Sequence, residues 1–397
     1  MVNNNDKKVL NVPALRFPEF SGEWEKYVLT EFVERVTRRN KGNECKLPLT
    51  ISAQYGLVDQ ITFFNKIIAS ADMSNYYLLT NGDFAYNKSY SSEYPWGAIK
   101  RLDRYEYGAL SSLYICFRPL NHVSSDFLTH YFETKKWHQG ISEIAVEGAR
   151  NHGLLNIGIQ DFFATKHYLP QSILEQEKIA CFLNLIEERI RLQNKIIEDL
   201  KKLKSAIIDK LYSSTNGETY SFRQLFEVVN EKNKACAYKN VLSASQELGM
   251  IERSDINIDI KFEQESISGY KIVRKGDYVV HLRSFQGGFA FSDRTGICSP
   301  AYIILRPNDL VVYSYLSHYF TSKPFIKSLK LVTYGIRDGR SINVDEWLDM
   351  PILLPPAQEQ IRILTIVNAI DAKLHNEVKV QFCLSSQKSY LLNTMFI

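Results

Sequence analysis

Residues 108–119 have the sequence GALSSLYICFRP, and residues 296–307 have the sequence GICSPAYIILRP. Six of the twelve aligned positions are identical without a gap, whereas ordinary residue usage would give roughly one identity. The same spacing places LTHYF at 128–132 on LSHYF at 316–320, and further matches continue on both sides. Because the similarity extends along the chain at one nearly fixed spacing, we infer that the chain contains one ancestral unit twice.

The first part of each repeat is rich in short apolar runs of strand type, such as YVVHL, which are separated by Gly, Asn, Asp and Ser. In both repeats a Gly-Asp pair, Gly82-Asp83 and Gly276-Asp277, stands directly before an aromatic residue that opens such a run. The pattern predicts a mixed α/β globule of the α+β kind, mostly sheet, in each half of the chain.

The second part of each repeat is predicted to be one long helix. Residues 171–213 and 357–397 contain neither Gly nor Pro, and each segment follows a Leu-Pro pair. Apolar residues recur in both segments at alternating intervals of four and three positions, which is typical of coiled-coil helices. The apolar positions of the predicted seam between the two helices are Leu183, Ile186, Ile190, Ile197, Leu200, Ile207, Val367, Ile370, Leu374, Leu384 and Leu391.

The two helical patterns coincide when one is shifted by 184 positions. Even the polar interruptions match, because Gln193 falls on Glu377 and Lys204 falls on Lys388. This shared register favours two helices that pair with each other. The alternative is two unrelated amphipathic helices, each packed only on its own globule.

The short connector after the first helix determines the expected arrangement. A helix of 40 residues is about 60 Å long, whereas residues 213–219 can bridge at most about 25 Å. The second globule must then lie at the far end of the first helix, and a paired second helix must run back antiparallel. We therefore expect two similar globules joined by two long antiparallel coiled-coil helices with approximate two-fold symmetry. The predicted segments are globule 1 at 1–170, helix 1 at 171–212, globule 2 at 213–356 and helix 2 at 357–397.

A rigid chain with two similar heads suits a ligand that is itself extended and approximately two-fold. Duplex DNA is such a ligand, since symmetric proteins bind half-sites that are spaced along the double helix. Because the two heads here are similar but not identical, the two half-sites need not share a sequence.

Charge, hydropathy and cysteine content narrow the class of protein. The net charge is only +4 and is spread evenly over the four predicted segments, which excludes a basic or acidic tail. The apolar runs are too short to cross a bilayer, and the polar N-terminus does not resemble a signal peptide. Six scattered cysteines without a CxxC pair indicate reduced thiols rather than disulfides or a zinc site. We expect a cytoplasmic protein that has no contact with membranes.

Several of these segments together resemble the specificity (S) subunit of type I restriction–modification systems, over essentially the whole chain. The resemblance is carried by LRFPEFSGEW at residues 15–24, the Gly-Asp strand starts and the repeated runs that end in Arg-Pro. It is also carried by the Glu-Gln pairs that follow each Leu-Pro pair, at Glu175-Gln176 and Glu359-Gln360. Local geometry near Gly158 and Trp347 should differ between the halves, because the family pattern is not kept equally there.

The resemblance implies a function for each part. Each globule would be a target-recognition domain that reads one half of a bipartite site in double-stranded DNA. The helices would set the spacing and dock two modification (methyltransferase) subunits, and restriction (endonuclease/translocase) subunits would join the complex. S-adenosylmethionine and ATP would be bound by those partner subunits, with no cofactor on this chain.

The sequence motifs agree with a non-catalytic subunit of a multisubunit DNA adenine methyltransferase and restriction endonuclease. The chain has no GxGxxG loop, no GxxxxGK[ST] phosphate loop and no Asn/Asp-Pro-Pro-aromatic methylation motif, nor do its His and Cys residues have metal-site spacing. We therefore expect no catalytic, cofactor-binding or metal-binding residues. A self-sufficient methylase or nuclease is disfavoured on the same ground. A two-headed protein scaffold without DNA specificity remains the alternative.

The candidate DNA-binding residues are basic, amide or aromatic side chains in predicted loops at matching places of both repeats. Arg118 and Arg306, which end strands before Pro, are predicted to be structural, as are His130 and His318. The candidates are Arg38, Arg39, Lys41, Gln54, Asn87, Lys88, Tyr90, Lys100, Arg101, Arg150 and Asn151 in the first repeat and Lys232, Lys234, Gln246, His281, Arg283, Gln286, Arg294, Arg337 and Arg340 in the second.

Apolar residues outside the seam are predicted to form the surface that docks the modification subunits, because they exceed what two paired helices can bury. The alternative is that they pack against the globules. These positions are Leu185, Leu192, Ile196, Leu203 and Ile208 on the first helix and Ala369, Asn376, Val380, Gln387 and Leu392 on the second.

Overall fold

The structure, a computed structural model, describes residues 10–66, 69–145, 155–245, 248–255, 264–281, 288–334 and 341–397. Its internal contacts divide the chain into two units. Unit 1 comprises Met1–Gln193 and Val380–Ile397, and unit 2 comprises Asn194–Lys379. Each unit therefore contains a globule and one part of each long helix.

The first half of the chain forms ten strands and five α-helices among its described residues. They are β1 (Glu25–Val28), β2 (Val33–Arg35), β3 (Pro48–Ser52), β4 (Gly56–Asp59), α1 (Gln60–Phe64), β5 (Tyr77–Thr80), β6 (Phe84–Asn87), β7 (Ala98–Arg101), β8 (Tyr107–Leu110), β9 (Ile115–Pro119), α2 (Ser125–Tyr131), α3 (His138–Ile144), α4 (Ile159–Phe163), β10 (Lys166–Leu169) and the long helix α5 (Ile173–Ser213).

The second half repeats this plan with small changes. Its described elements are β11 (Glu218–Ser221), α6 (Phe222–Leu225), β12 (Phe226–Val229), β13 (Leu242–Ser245), β14 (Gly249–Glu252), β15 (Lys271–Val273), β16 (Tyr278–Val280), β17 (Phe289–Phe291), β18 (Gly296–Cys298), β19 (Ile303–Pro307), α7 (Tyr315–Tyr319), α8 (Lys323–Ser328), β20 (Thr333–Tyr334), β21 (Ser341–Ile342), α9 (Val344–Leu348), β22 (Pro351–Leu354) and the long helix α10 (Ala357–Thr394).

The sheets of the two units have matching topology. In unit 1 a four-stranded antiparallel sheet has the order β2-β9-β6-β7, and in unit 2 the equivalent order is β12-β19-β16-β17. An antiparallel pair precedes each long helix, β1 with β10 and β11 with β22. In unit 1 the second sheet, β4-β3-β8-β5, includes one parallel pairing, and a parallel bridge between Val241 and Ile297 stands at the same place in unit 2. The α+β prediction and the internal duplication are confirmed.

The Gly-Asp pairs form the same structural unit in both halves. Gly82 and Gly276 adopt φ of 90° and 99°, a region that side chains strongly disfavour. The Asp83 carboxylate is fully buried and accepts hydrogen bonds from the Thr80 backbone N–H at 2.8 Å and from Arg118 Nε at 2.7 Å.

In unit 2 the equivalent carboxylate, Asp277, accepts hydrogen bonds from the Arg274 backbone N–H at 2.8 Å and from Arg306 Nε at 2.9 Å. Each arginine thus connects the strand that ends in Arg-Pro with the Gly-Asp turn that precedes the neighbouring strand. The structural role predicted for Arg118 and Arg306 is confirmed.

Each globule has an aromatic core to which parts of both long helices contribute. In unit 1, Leu183 of α5 and Leu391 of α10 join the core that contains Trp24 and Phe127. In unit 2, Ile208 of α5 and Val367 of α10 join the core around Trp347. The first part of α5 therefore meets the last part of α10 in unit 1, while the last part of α5 meets the first part of α10 in unit 2. Within each unit the helices are antiparallel.

The predicted seam positions are all buried or half-buried. Four of the predicted outward positions on α5, Leu185, Leu192, Ile196 and Leu203, are exposed. The prediction for Ile208 is wrong, because its side chain is only 4% exposed and packs into the core of unit 2.

On α10, the outward positions behave in a similar way. Ala369, Asn376, Val380 and Gln387 are exposed, whereas Leu392 is half-buried against the core of unit 1. Near its end each long helix is covered by the adjacent globule, so the outward face is interrupted there. The placement of the two globules at opposite ends of the helices stays a prediction. Among the described helices, none combines the length and the apolar character that a membrane span requires.

Candidate nucleic-acid interface

The loop between β2 and β3 carries the first group of candidate DNA-binding residues. Arg38 and Lys41 are exposed, and Arg38 lies 3.8 Å from Glu44 in a weak surface ion pair. The guanidinium group of Arg39 lies over the Tyr77 ring at 4.2 Å and donates a hydrogen bond to the backbone oxygen of Asn75 at 2.6 Å. These contacts fix the start of the loop on β5 and leave Arg38 and Lys41 directed at solvent.

A buried asparagine shapes this loop in both units. The Asn40 side chain donates to the Cys45 backbone oxygen and accepts from the Cys45 N–H, both at 2.8 Å. Asn233 does the same with Tyr238 in unit 2, at 2.8 Å and 3.2 Å. Sequence reasoning missed this structural role of the two asparagines. Because the two loops are built alike, the exposed Lys232 and Lys234 next to Asn233 occupy the same kind of site as Lys41.

The hairpin between β3 and β4 carries Gln54 at its exposed tip, where Gly56 adopts φ of 79°. Helix α1 follows the hairpin, and the Asp59 side chain caps it through the N–H groups of Ile61 and Thr62. A side-chain hydrogen bond from Thr62 also holds the pKa of Asp59 below its usual value.

Three aromatic rings beside this tip are exposed to solvent, namely Tyr55, Phe63 and Phe64. The ring of Phe63 lies 6.3 Å from that of Tyr55 and 5.0 Å from that of Phe64, measured between ring centroids. Sequence reasoning did not single out this aromatic cluster. The signal was available as an apolar run directly after Asp59, in a segment too short to bury it.

The β7 candidates are used within unit 1. Lys100 lies 3.5 Å from Glu133, and Arg101 lies 2.6 Å from both Asp103 and Asp126. The two cations are only 18% and 17% exposed. Their charges are thus balanced by neighbouring carboxylates of the fold, and a contact with DNA stays a prediction for both.

The segment after β6 contains three further candidates with different environments. The Asn87 side chain accepts a hydrogen bond from the Ser89 N–H at 3.0 Å, and Lys88 donates to the backbone oxygen of Ile157 at 3.4 Å. Tyr90 is exposed. Asn87 and Lys88 therefore order the segment, while the Tyr90 ring is accessible to a ligand.

The remaining described candidates lie in unit 2. The His281 ring packs edge-on against Tyr302, with ring centroids 5.1 Å apart. Arg294 lies 2.8 Å from Asp293, and its hydrogen bond lowers the pKa of that carboxyl group. The candidates that lie outside the described residues are Arg150, Asn151, Gln246, Arg283, Gln286, Arg337 and Arg340.

Within the part of the chain that the structure describes, one group of side chains has the spacing of metal ligands. Potential ligand atoms of His130, Glu133 and Glu187 all lie within 4.8 Å of one another. The Lys388 ammonium group, however, lies 2.7 Å from Glu133 and 2.6 Å from Glu187. Burial opposes ionisation of Glu133, yet attraction to Lys388 and Lys100 lowers its pKa. The lysine therefore supplies a positive charge to both carboxylates within the fold.

Comparisons with known proteins agree with this architecture. Residues 217–381 match the family described as the type I restriction modification DNA specificity domain. No curated protein is significantly similar in sequence. A solved chain from a study of complex assembly and conformational transition in a type I R-M system is similar in structure, with a TM-score of 0.58 and 16% identity over 94% of this chain and 97% of that chain.

A second solved structure is the S subunit of a type I restriction-modification system from M. genitalium. It has a TM-score of 0.52 and 14% identity over 97% of this chain and 99% of that chain. At such identities the likeness concerns the fold. Together with the domain match, it confirms the family resemblance inferred from sequence: residues 217–381 match the type I restriction–modification DNA specificity domain, and the chain has the fold of the solved S subunit.

Proposed function

We propose that this chain is the DNA sequence-specificity subunit of a type I restriction–modification complex. The observation that carries the proposal is the specificity domain at residues 217–381, whose sheet topology is repeated in unit 1. A globule present in two similar but non-identical copies supports recognition of a bipartite site in duplex DNA, with each unit reading one half. The sequence differences between the two units would make the two half-sites different.

DNA contact would use the exposed loop cations together with the hairpin tip. Arg38 and Lys41 in unit 1 and Lys232 and Lys234 in unit 2 are exposed and lie in equivalent loops. Such side chains bind phosphates, which positions a protein on DNA without reading its sequence. The exposed rings next to Gln54 could stack on or wedge between bases. Because the net charge is only +4, we expect weak, salt-sensitive binding by the isolated chain and tight binding only with partners.

The long helices would dock the modification subunits. Leu185 and Leu192 in unit 1 and Ile196 and Leu203 in unit 2 are exposed apolar side chains on α5. A series of exposed leucine and isoleucine side chains along a helix is typical of protein interfaces. Restriction subunits would join through these partners, and S-adenosylmethionine and ATP would be bound by the partner subunits.

The test is reconstitution with a cognate type I modification subunit, followed by adenine methylation of a random-sequence DNA library. We expect methylation only in the presence of this chain and only at one bipartite sequence. Methylation that does not depend on this chain, or a purified complex that fails to bind or methylate DNA, would favour the two-headed scaffold instead.

A matched pair of variants tests the docking surface. Replacing Leu185 and Leu192 by Glu should abolish co-purification of the modification subunit, because both side chains are exposed on the wild-type helix. The control replaces Glu198 and Lys202 by Gln, since this pair is also exposed on α5 but forms only a surface ion pair. The control should bind normally. Equal binding by both variants would show that the subunit docks elsewhere.

A further inference from the structure

The seam of the long helices contains a partly buried ion-pair network in unit 1. Lys388 of α10 lies 2.6 Å from Glu187 of α5, and both face the globule helix α2. His130 of α2 is fully buried, its Nε2 lies 2.8 Å from Asn184 Oδ1, and its Nδ1 lies 3.7 Å from Glu187. We call these four residues, His130, Asn184, Glu187 and Lys388, the unit 1 clamp, because they join three helices.

The same arrangement occurs in unit 2. Lys204 of α5 lies 2.5 Å from Asp371 of α10, and His318 of α7 lies 3.9 Å from the same carboxylate. Asn368 is hydrogen-bonded to His318, whose pKa is lowered by burial and by the nearby Lys204. We call His318, Asn368, Asp371 and Lys204 the unit 2 clamp.

The two clamps are related by the internal duplication. A shift of 184 positions takes Asn184 to Asn368 and Glu187 to Asp371, and it also takes Lys204 to Lys388. Each clamp therefore takes its carboxylate from the helix of one repeat and its lysine from the helix of the other. This reciprocity is possible only when the two helices are paired antiparallel in this alignment, because each lysine must meet the carboxylate of the other repeat.

A lysine in an apolar seam is costly unless an anion faces it. Both lysines are mostly buried, at 20% exposure for Lys388 and 25% for Lys204. Burial disfavours the charged form of Lys388, but Glu133 and Glu187 raise its pKa above the ordinary value. If the helices slipped by one heptad, Lys204 would face Leu364 or Val378 in place of Asp371. Neither of these side chains offers a carboxylate to balance the lysine charge.

We propose that Lys204 and Lys388 are positioning residues that select the antiparallel register of the two long helices. Through the histidines, the same networks bind the globule helices α2 and α7 to that register. The consequence for DNA, a fixed separation of the half-sites, rests on the proposed function. The selection of register does not.

Charge exchange tests the proposal without any DNA. Reversal of one charge by K204E places a second carboxylate beside that of Asp371 and should lower the thermal midpoint by roughly 4–8 °C. Adding D371K restores an opposite pair and should recover at least half of that shift. The matched control combines K204E with E187K, the equivalent carboxylate of the other clamp. This control should be less stable than K204E alone, because both clamps are then broken.

The outcome that overturns the proposal is a D371K exchange that recovers no more stability than the E187K control. If K204E does not fold, the milder variants K204M, D371N and their combination form a second cycle. The combined variant should then be no less stable than the less stable of the two single variants. Losses of unfolding free energy that simply add in the combined variant would count against the proposal. Failure of either cycle refutes register selection whatever the DNA activity, whereas loss of site-specific methylation by the wild-type complex refutes only the proposed function.

Discussion

The ion pair between the buried aspartate of each Gly-Asp turn and its arginine leads to a quantitative prediction. Replacing Arg118 by Ala leaves the Asp83 carboxylate in a fully buried position with its Thr80 hydrogen bonds but without its cation. Removing one partner of a buried pair typically costs about 3–5 kcal/mol. Because the Arg118 side chain is 46% exposed, water can reach the carboxylate after truncation, so we expect the lower end, about 3 kcal/mol. This corresponds to a fall of roughly 6–12 °C in the unfolding midpoint of unit 1.

The measurement is denaturant and thermal unfolding of R118A, with R306A as its counterpart in unit 2 and R223A as the control. Arg306 pairs with the buried Asp277 and should behave like Arg118. Arg223 lies 2.7 Å from Asp349, but both side chains are at least half exposed. R223A should therefore cost less than about 1 kcal/mol. If R118A and R306A were no more destabilising than R223A, the pairing of each buried carboxylate with its arginine would not stabilise the fold as predicted.

Three further predictions concern pH, helix burial and helix length. Burial lowers the pKa of His167 to about 4, and the neutral ring forms hydrogen bonds with Tyr131 and Thr165. The folded state therefore disfavours the protonated ring. The contribution of His167 to the free energy of unfolding is complete above pH 6.5 and falls by about 3 kcal/mol as the pH drops to 4. In an H167Q variant the free energy of unfolding should depend less steeply on pH over that range. An unchanged pH dependence would contradict this assignment. I208D should destabilise unit 2 by about 3 kcal/mol or more while L203D changes stability by less than about 1 kcal/mol, since Ile208 is buried and Leu203 exposed. Equal effects in calorimetry would refute the corrected position of Ile208. Insertion of four residues after both Asn194 and Val378 should lengthen the spacer of the methylated sequence and leave both half-sites unchanged, as read by methylome sequencing, and altered half-sites with an unchanged spacer would refute it.

The repeated parts of the fold could be predicted from the sequence because periodic patterns report on local structure. The intervals of four and three along α5 and α10 identified the seam residues, and the structure buries or half-buries all of them. Ile208 was misassigned because its environment is set by the globule of unit 2, which packs over the end of α5. Helical periodicity cannot show where another part of the chain covers a face.

Candidate site residues were harder to predict for a related reason. A lysine or arginine in a loop pattern gives no sign of the carboxylate that meets it in three dimensions, as the pairing of Arg101 with Asp126 shows. Asparagine is usually found at the surface, yet Asn40 is buried, because its side chain forms hydrogen bonds with the Cys45 backbone within its own loop. The coincidence of Lys204 with Lys388 was visible in the sequence, but their partners lie on the other helix and needed the structure to be found.

The most direct test of the central claim is an exchange of one specificity domain followed by methylome sequencing. Residues 217–381 would be replaced by the corresponding domain of a type I S subunit, and the chimaera would be expressed with a type I modification subunit. We predict that one half of the methylated sequence changes and the other half is kept. A chimaera that methylates an unchanged sequence, or one whose two half-sites both change, would contradict the assignment of one half-site to each unit.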